Sequence, residues 1–495
     1  MVVFAAGYAA AEMGAAYRFP ASGAKGVNPD THLVLTFSSA PAIGRSGQVR
    51  IFDAADHKLV DTLDMSIPAG PDPVHRIGTP DIDPHPPTPT TTTPAVKSVP
   101  ADLHSYQLNT IGGLADFHFY PVIVHGNVAT IYPHNGALRY HRRYAVEIDP
   151  GVLTLVGGSF AGFKKSEWMF ATKNAAPAES ATRVVVAADG SGDFNTVQGA
   201  VDFVPANPAK RVTIFIRNGT YEEIVFFQKK SNLTFEGEDR EKVQVGYANN
   251  SAFNPPMPGP SRRCAFSAYD SNGIVLENLS VSNYAYGQAE GLLLYGDKVV
   301  VKKVNIKGSG DALNLRGRIY LANSRIIGDG DTILGVGAAF FKDCEIQSMG
   351  PYMWIRNTDA NHGNVFVNCS FVTRQRPAGV QQAAGTKPAP ARPSMGAVLA
   401  RLPNNHGLNY PYAEAVLIHC KLSGVPAEGW GPVEGDTDHM HLWEYESTDM
   451  DGKPIDVSKR HPASRQLTTE KDAETIANYS KPAFVLGGWD PTAGN

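Results

Sequence analysis

The stretch VKKVNIKGSGDALNLRGRIYLANSRIIGDGDTILGVGAAFFKDCEIQS (301–348) decides the fold, because it repeats itself every 20 residues. VKKVNIKG (301–308), LANSRIIG (321–328) and FKDCEIQS (341–348) share one pattern of apolar, polar and small positions. The same pattern extends outward to LENLSVSN (276–283), FVNCSF (366–371) and LIHCKLSG (417–424). Leu279, Val304, Ser324, Cys344, Cys369 and Cys420 hold one register, at spacings of 25, 20, 20, 25 and 51, the last read as two turns. A period of this length means a solenoid, propeller or array. The segments are short, alternating, rich in Val, Ile and Phe, and followed by Gly, Asn or Ser, which is strand chemistry. With no sustained helical period between them, they favour a right-handed parallel β-helix over a leucine-rich horseshoe. Each turn buries its inner face only by stacking on its neighbours. The first turn needs a cover, and FNTVQGAVDFVP (194–205) reads as a short amphipathic helix with Val197, Ala200, Val201 and Val204 on one side.

Asp311 and Asp331 each lie seven residues after a register position, Val304 and Ser324. They therefore occupy the same corner of successive turns, at about the 4.8 Å spacing of neighbouring strands. Taken singly, an Asp after Gly is an ordinary turn residue. Taken as a register-matched pair, the two carboxylates push their pKa values apart, so that one stays protonated near neutral pH.

Composition narrows the classes. Net charge is −4 and only 19% of residues are charged, with no basic patch or run to suggest nucleic acid. No apolar stretch reaches membrane-spanning length. Of the four cysteines, Cys344, Cys369 and Cys420 share one register, which implies a buried ladder of small residues. A disulfide between adjacent turns is geometrically allowed, and a zinc site lacks its C-x-x-C spacing. The start, MVVFAAGYAAAEMG, has neither a positive n-region nor a clean apolar core, so no signal peptide is evident in this numbering.

Residues 1–24 read as an N-terminal extension and 25–172 as a β-sandwich of immunoglobulin type. HLVLTFSSAP, GQVRIFDAADHKLVDTLDM, NVATIYPHNG and RYAVEIDPGVL are its strands, separated by turn signals and without a helix. Their order resembles the small immunoglobulin-like domains appended to secreted bacterial enzymes. A Pro/Thr-rich insertion occupies 80–100 and a linker 173–183. The β-helix is expected over 184–492, with a long Pro/Ala/Gln-rich loop at 374–393 thrown off near the aspartates.

The β-helix opens with VVVAADGSGDFNTVQGAVDFVP and continues with RNGTYEE, GQAEGLLLYGD (287–297), GSGDALN (308–314), GDGDTILG (328–335), LARLP (399–403) and AEGWG (427–431). In order and spacing these resemble the pectin methylesterase family, over the whole of roughly 184–492. The gap after the Arg motif and the closing EYESTDMDGKPIDVSKRHPASRQLT look most like its bacterial branch. The resemblance implies hydrolysis of methyl esters of galacturonate in pectin, releasing methanol, by a secreted or periplasmic monomer with no cofactor and no metal. It implies that Asp331, in D-T-I-L-G, is the nucleophile and Asp311, in G-D-A-L, the general acid/base. Arg401, in L-A-R-L-P, holds the nucleophilic carboxylate, and Gln288, in Q-A-E-G-L where the family has Q-A-V-A-L, donates to the oxyanion. Trp430 matches a tryptophan of the substrate cleft. That chemistry needs a carboxylate to attack, an acid to protonate departing methanol, and a donor to the oxyanion.

Two positions depart from the pattern. Gly310 stands where the family has a second oxyanion glutamine, and Leu402-Pro403 where it has Pro-Trp. Trp354 and Tyr352 are candidates for the missing aromatic surface. The departures keep an alternative open: a polysaccharide-binding or weakly active relative, or an esterase acting on another ester or thioester. A polygalacturonase would need a D-D pair and an R-x-K that the chain lacks in the right places.

Overall fold

A computed structural model describes residues 15, 17–71, 105–155, 160–375, 396–403 and 410–493. The Pro/Thr insertion at 80–100, most of the loop at 374–393 and most of the N-terminal extension lie outside the described residues. The chain divides into two compact units, 1–200 with 252–254, and 201–251 with 255–495. The linker read at 173–183 and the opening residues of the expected β-helix therefore group with the first unit.

The first unit is built from antiparallel strands. Tyr17–Phe19, Leu33–Thr36, Val128–Ile131 and Val122–His125 form one four-stranded sheet. Met169–Ala171, Arg143–Ile148, Gln48–Asp53 and Leu59–Asp64 form a second. Strict alternation explains the burial: Leu33, Leu35, Ala129 and Ile131 are fully buried while Val34, Thr36, Val128 and Thr130 are not. Trp168 is buried and its indole N–H donates to the Pro20 carbonyl at 2.8 Å. Sequence reading missed the hairpin Leu108–Ile111 with Leu114–His118, whose turn residues Gly112 and Gly113 both have positive φ.

The second unit is the solenoid, and all the strand pairs named here are parallel. One face runs through Val212–Ile216, Leu233–Gly237, Val275–Glu277, Val299–Lys302, the later halves of Leu313–Ala322 and Ile333–Lys342, then Asn364–Val367, Glu414–Ile418 and His441–Tyr445. A second stacks eight strands from Gly219–Glu222 to Lys421–Ser423. A third holds Val225–Gln228, Phe266–Tyr269, Leu292–Tyr295, the earlier halves of Leu313–Ala322 and Ile333–Lys342, and Met353–Ile355.

The repeat seen in the sequence is the corner between the first two faces. Asn278, Lys303, Asn323, Asp343, Asn368 and His419 all adopt left-handed backbone, with φ of 51–61°. Asn and Asp tolerate that region best among residues with a Cβ. Each is followed by a register residue pointing inward, and all six of these are buried. Ser324, Cys344, Cys369 and Cys420 do the same thing there: each hydroxyl or thiol donates to the carbonyl two residues back, at 2.9–3.6 Å. A small side chain with one donor closes the bend.

The 51-residue spacing is one turn and not the two expected. Ser370 pairs directly with Lys421, and Asn364 with Ala415. Of the extra residues, the described stretch 396–403 belongs to the coil, with Ala400 bridging Met353 and Leu402 bridging Val433. Long insertions are tolerated because closure entropy rises only slowly with length.

The helix expected in 194–205 is present as Val197–Phe203, with Val197, Ala200, Val201 and Val204 buried. Lys230 donates to the Val201 and Val204 carbonyls that its end leaves open. Two C-terminal helices, Thr469–Tyr479 and Pro482–Val485, were not anticipated. Tyr479, Val485 and Leu486 cover Tyr320, Phe340, Val365, Val416 and Ile418 on the outside of the first face. No helix among the described residues is long and apolar enough to cross a membrane.

All four cysteines are free and buried. Ellman's reagent should therefore titrate no thiols in the native protein and four after denaturation without reductant; fewer than four would mean a disulfide in the coil.

Candidate active site

The site is set by strand register. Leu313 pairs with Ile333 and Leu292 with Leu313. Asp311 and Asp331 each precede these rungs by two residues, and so does Glu290. Three carboxylates thus rise on three consecutive turns. Asp331 itself has φ 45°, in the left-handed region, after Gly330. Asp tolerates that backbone, and the bend turns its carboxyl outward at the strand mouth.

Arg401 arrives from the next rung but one. Its backbone N–H donates to the Met353 carbonyl at 3.1 Å, and Met353 pairs with Ile333. From there Nε reaches Asp331 Oδ1 at 2.7 Å and Nη2 reaches Oδ2, a two-pronged grip on one carboxylate. Trp354 lies under this guanidinium, with Arg401 Cζ 4.6 Å from the ring centroid. Trp354 is thus next to the aspartates.

Asp311 is pushed up to about 7. Burial is the largest cause, the Glu290 charge comes next, and Asp331 adds to both; Arg263 and Arg356 pull the other way. A carboxyl titrating there can give and take a proton near neutrality.

Gln288 is exposed, and its Oε1 accepts a hydrogen bond from Arg263 Nη1 at 3.1 Å. The amide NH₂ is thereby the end left to face a ligand. Gly310 has φ +64°, and a Cβ there would sit 2.7 Å from the Gly287 carbonyl oxygen. The missing glutamine is built into the backbone: no side chain fits without moving that loop.

Two expected cleft residues are elsewhere. Trp430 is 1% exposed, and its indole N–H donates to Glu444 Oε1 at 2.9 Å. Arg460 grips the same buried carboxylate at 2.8 Å. Trp430 is a packing residue of the late turns, because its polar end is satisfied inside. Tyr352 is fully buried, with its hydroxyl on Thr373 Oγ1 at 3.1 Å and its ring edge-on to Phe371. It lies just before the strand Met353–Ile355 and points into the coil, whereas Trp354 points out between inward Met353 and Ile355.

Sequence reading missed Arg263, Glu290 and Arg356. Glu290 was legible: it stands two residues before Leu292, the offset of both aspartates from their strands. Arg263 has no such signal, since nothing in its neighbourhood marks it as Glu290's partner.

Comparisons with known proteins bear on the coil as a whole. The family model "Pectinesterase" matches residues 183–488. The chain is 26% identical over 313 residues to pectinesterase/pectinesterase inhibitor 18 of Arabidopsis thaliana, covering 62% of this chain and 53% of that protein. It is 33% identical over 205 residues to pectinesterase QRT1 of the same plant, covering 38% and 54%. The structure of a pectin methylesterase from carrot superposes with a TM-score of 0.50 at 25% identity, covering 62% of this chain and 93% of that one. The chain spans 40–59% of the length of the first curated relatives it matches. The match covers most of the chain and all of the residues gathered at the strand mouths: this chain belongs to the pectinesterase family.

Proposed function

We propose that the protein hydrolyses methyl esters of galacturonate residues in pectin, releasing methanol and leaving pectate. One observation carries the reading: Arg401 grips Asp331 with two hydrogen bonds, one rung from a half-buried Asp311 whose pKa is raised to about 7. An attacking carboxylate and a neighbouring acid are what ester cleavage through an acyl-enzyme requires.

In this mechanism an Asp331 oxygen attacks the ester carbonyl carbon, and the carbonyl oxygen becomes an oxyanion met by the Gln288 amide. The intermediate collapses, the C–O bond to methoxide breaks, and the Asp311 proton goes with it as methanol. Asp331 is left as a mixed anhydride. Asp311, now a carboxylate, takes a proton from water as that water attacks the acyl carbon. The anhydride opens, a galacturonate carboxyl leaves, and both aspartates return to their starting states. Arg401 and Trp354 keep Asp331 aligned throughout.

The reading extends to the rest of the chain. The antiparallel sheets of the first unit support an immunoglobulin-like sandwich serving an exported, monomeric enzyme. The gap after the Arg motif and the C-terminal stretch favour the bacterial branch of the family.

Asp331→Asn should lower methanol release from highly esterified pectin by at least about 10³-fold with the fold intact by circular dichroism; unchanged release would overturn the reading. Because the first step consumes protonated Asp311, kcat/KM should fall with rising pH above about 7. A rate that climbs through pH 8 would contradict the assignment of the acid. Folding raises this carboxyl's pKa, so its contribution to stability is fully present below the unfolded value and is lost as pH rises through about 7. Asp311→Asn should accordingly raise Tm more at pH 8.5 than at pH 5, a difference that thermal melts at the two pH values would read.

A further inference from the structure

We propose that the Arg263 guanidinium supplies a second donor to the oxyanion, in the place that Gly310 leaves without a side chain, and that buried Glu290 is the positioning residue that holds it there. The inference rests on the ester-hydrolase reading above.

Arg263 spans the gap between the two groups the oxyanion must meet. Its Nη1 lies 3.1 Å from Gln288 Oε1 and its Nη2 3.4 Å from Asp311 Oδ2. Gly310 sits immediately before Asp311, and its backbone admits no Cβ. The side chain is fixed from behind. Nε donates to both Glu290 oxygens at 2.9 and 2.7 Å, and Nη2 to Oε1 at 2.5 Å. Glu290 is fully buried, so it has no water to turn to and cannot release its partner freely. Nε–H and both Nη2 hydrogens are engaged by Glu290 and Asp311, and one Nη1 hydrogen by Gln288. The remaining Nη1 hydrogen has no partner among the described residues, on a side chain that is 19% exposed. A guanidinium held rigidly, with one donor spare beside a glutamine amide, is a preorganised oxyanion site.

The carboxylate has a second effect. A cation placed alone beside Asp311 would strip it of the proton it must deliver. The groups facing Asp311 are Glu290 and Asp331 on one side of the balance and Arg263 and Arg356 on the other. Glu290 neutralises the arginine it positions, so the site gains a strong donor without losing its acid. The same amide contact turns the Gln288 NH₂ away from Arg263, toward the reacting carbonyl.

The experiment measures kcat and KM for methanol release from methyl-esterified pectin between pH 5 and 9. Arg263→Ala should lose about 10²–10³-fold in kcat with KM changed less than about threefold, and added ethylguanidinium should restore part of it. Wild-type kcat in this variant, or a loss that ethylguanidinium leaves untouched, overturns the proposal. Glu290→Gln should move the alkaline limb of kcat/KM to lower pH, which a merely structural role would not do. Should the alanine variant unfold, Arg263→Gln/Glu290→Gln leaves neither partner of the pair charged; the same kcat loss supports the proposal and wild-type kcat overturns it. Failure of the underlying reading looks different, since the wild-type protein would then release no methanol. The Asp311 carboxyl titration, followed by ¹³C NMR without substrate, then decides: a lower midpoint in Glu290→Gln supports the positioning pair, and an unchanged one overturns it.

Discussion

The parallel, in-register pairing of Leu313–Ala322 with Ile333–Lys342 is the constraint on which the rest depends. It runs unbroken for ten residues and sets two bends on adjacent rungs. A slip of one residue would turn one aspartate into the coil and the other out of it. The register is enforced from inside by buried side chains such as Leu313, Ile319, Ile333 and Phe341. Function therefore draws its geometry from packing: the coil places two carboxylates closer than they would choose, and Arg401 makes one of them tolerable.

The same logic recurs at the three most deeply buried carboxylates described in this unit. Glu290 has Arg263, Glu444 has Arg460 and Trp430, and Glu414 has His362, His441 and Tyr479. Burial alone would raise Glu414, but hydrogen bonds from the two histidines and the tyrosine outweigh it and hold it down at about 2. Glu414 and Glu444 sit on the last turns, where the coil ends and the C-terminal helices cover it. Hydrogen-bonded buried charges there fix one arrangement of chain among several apolar ones. At the mouth of the site, the same kind of pair does chemical service.

Much of this was legible in the sequence, for physical reasons. A left-handed corner every turn forces Asn, Asp or another tolerant residue into one column and a small residue beside it, so the period is written in the side chains. Asp311 and Asp331 inherit that period. Spacing alone fails between Cys369 and Cys420, because the length of an insertion carries no count of turns. It fails again for Trp430 and Tyr352, because a motif match gives a position and not a direction. Glu444 takes the indole of Trp430 inward from 14 residues away, and Tyr352, just before its strand begins, turns inward onto Thr373 and Phe371. Arg263 was unread because its role shows only once Glu290 is seen beside it, and the two lie 27 residues apart.

The proposed chemistry needs neighbouring rungs of one coil to hold two carboxyls in different states, one carrying a proton and one gripped by a guanidinium. Neutron diffraction from deuterated crystals near pH 6 reads this directly. A deuteron on an Asp311 oxygen and Arg401 deuterons aimed at both oxygens of Asp331 are expected. A bare Asp311, or a deuteron on Asp331, would contradict that chemistry.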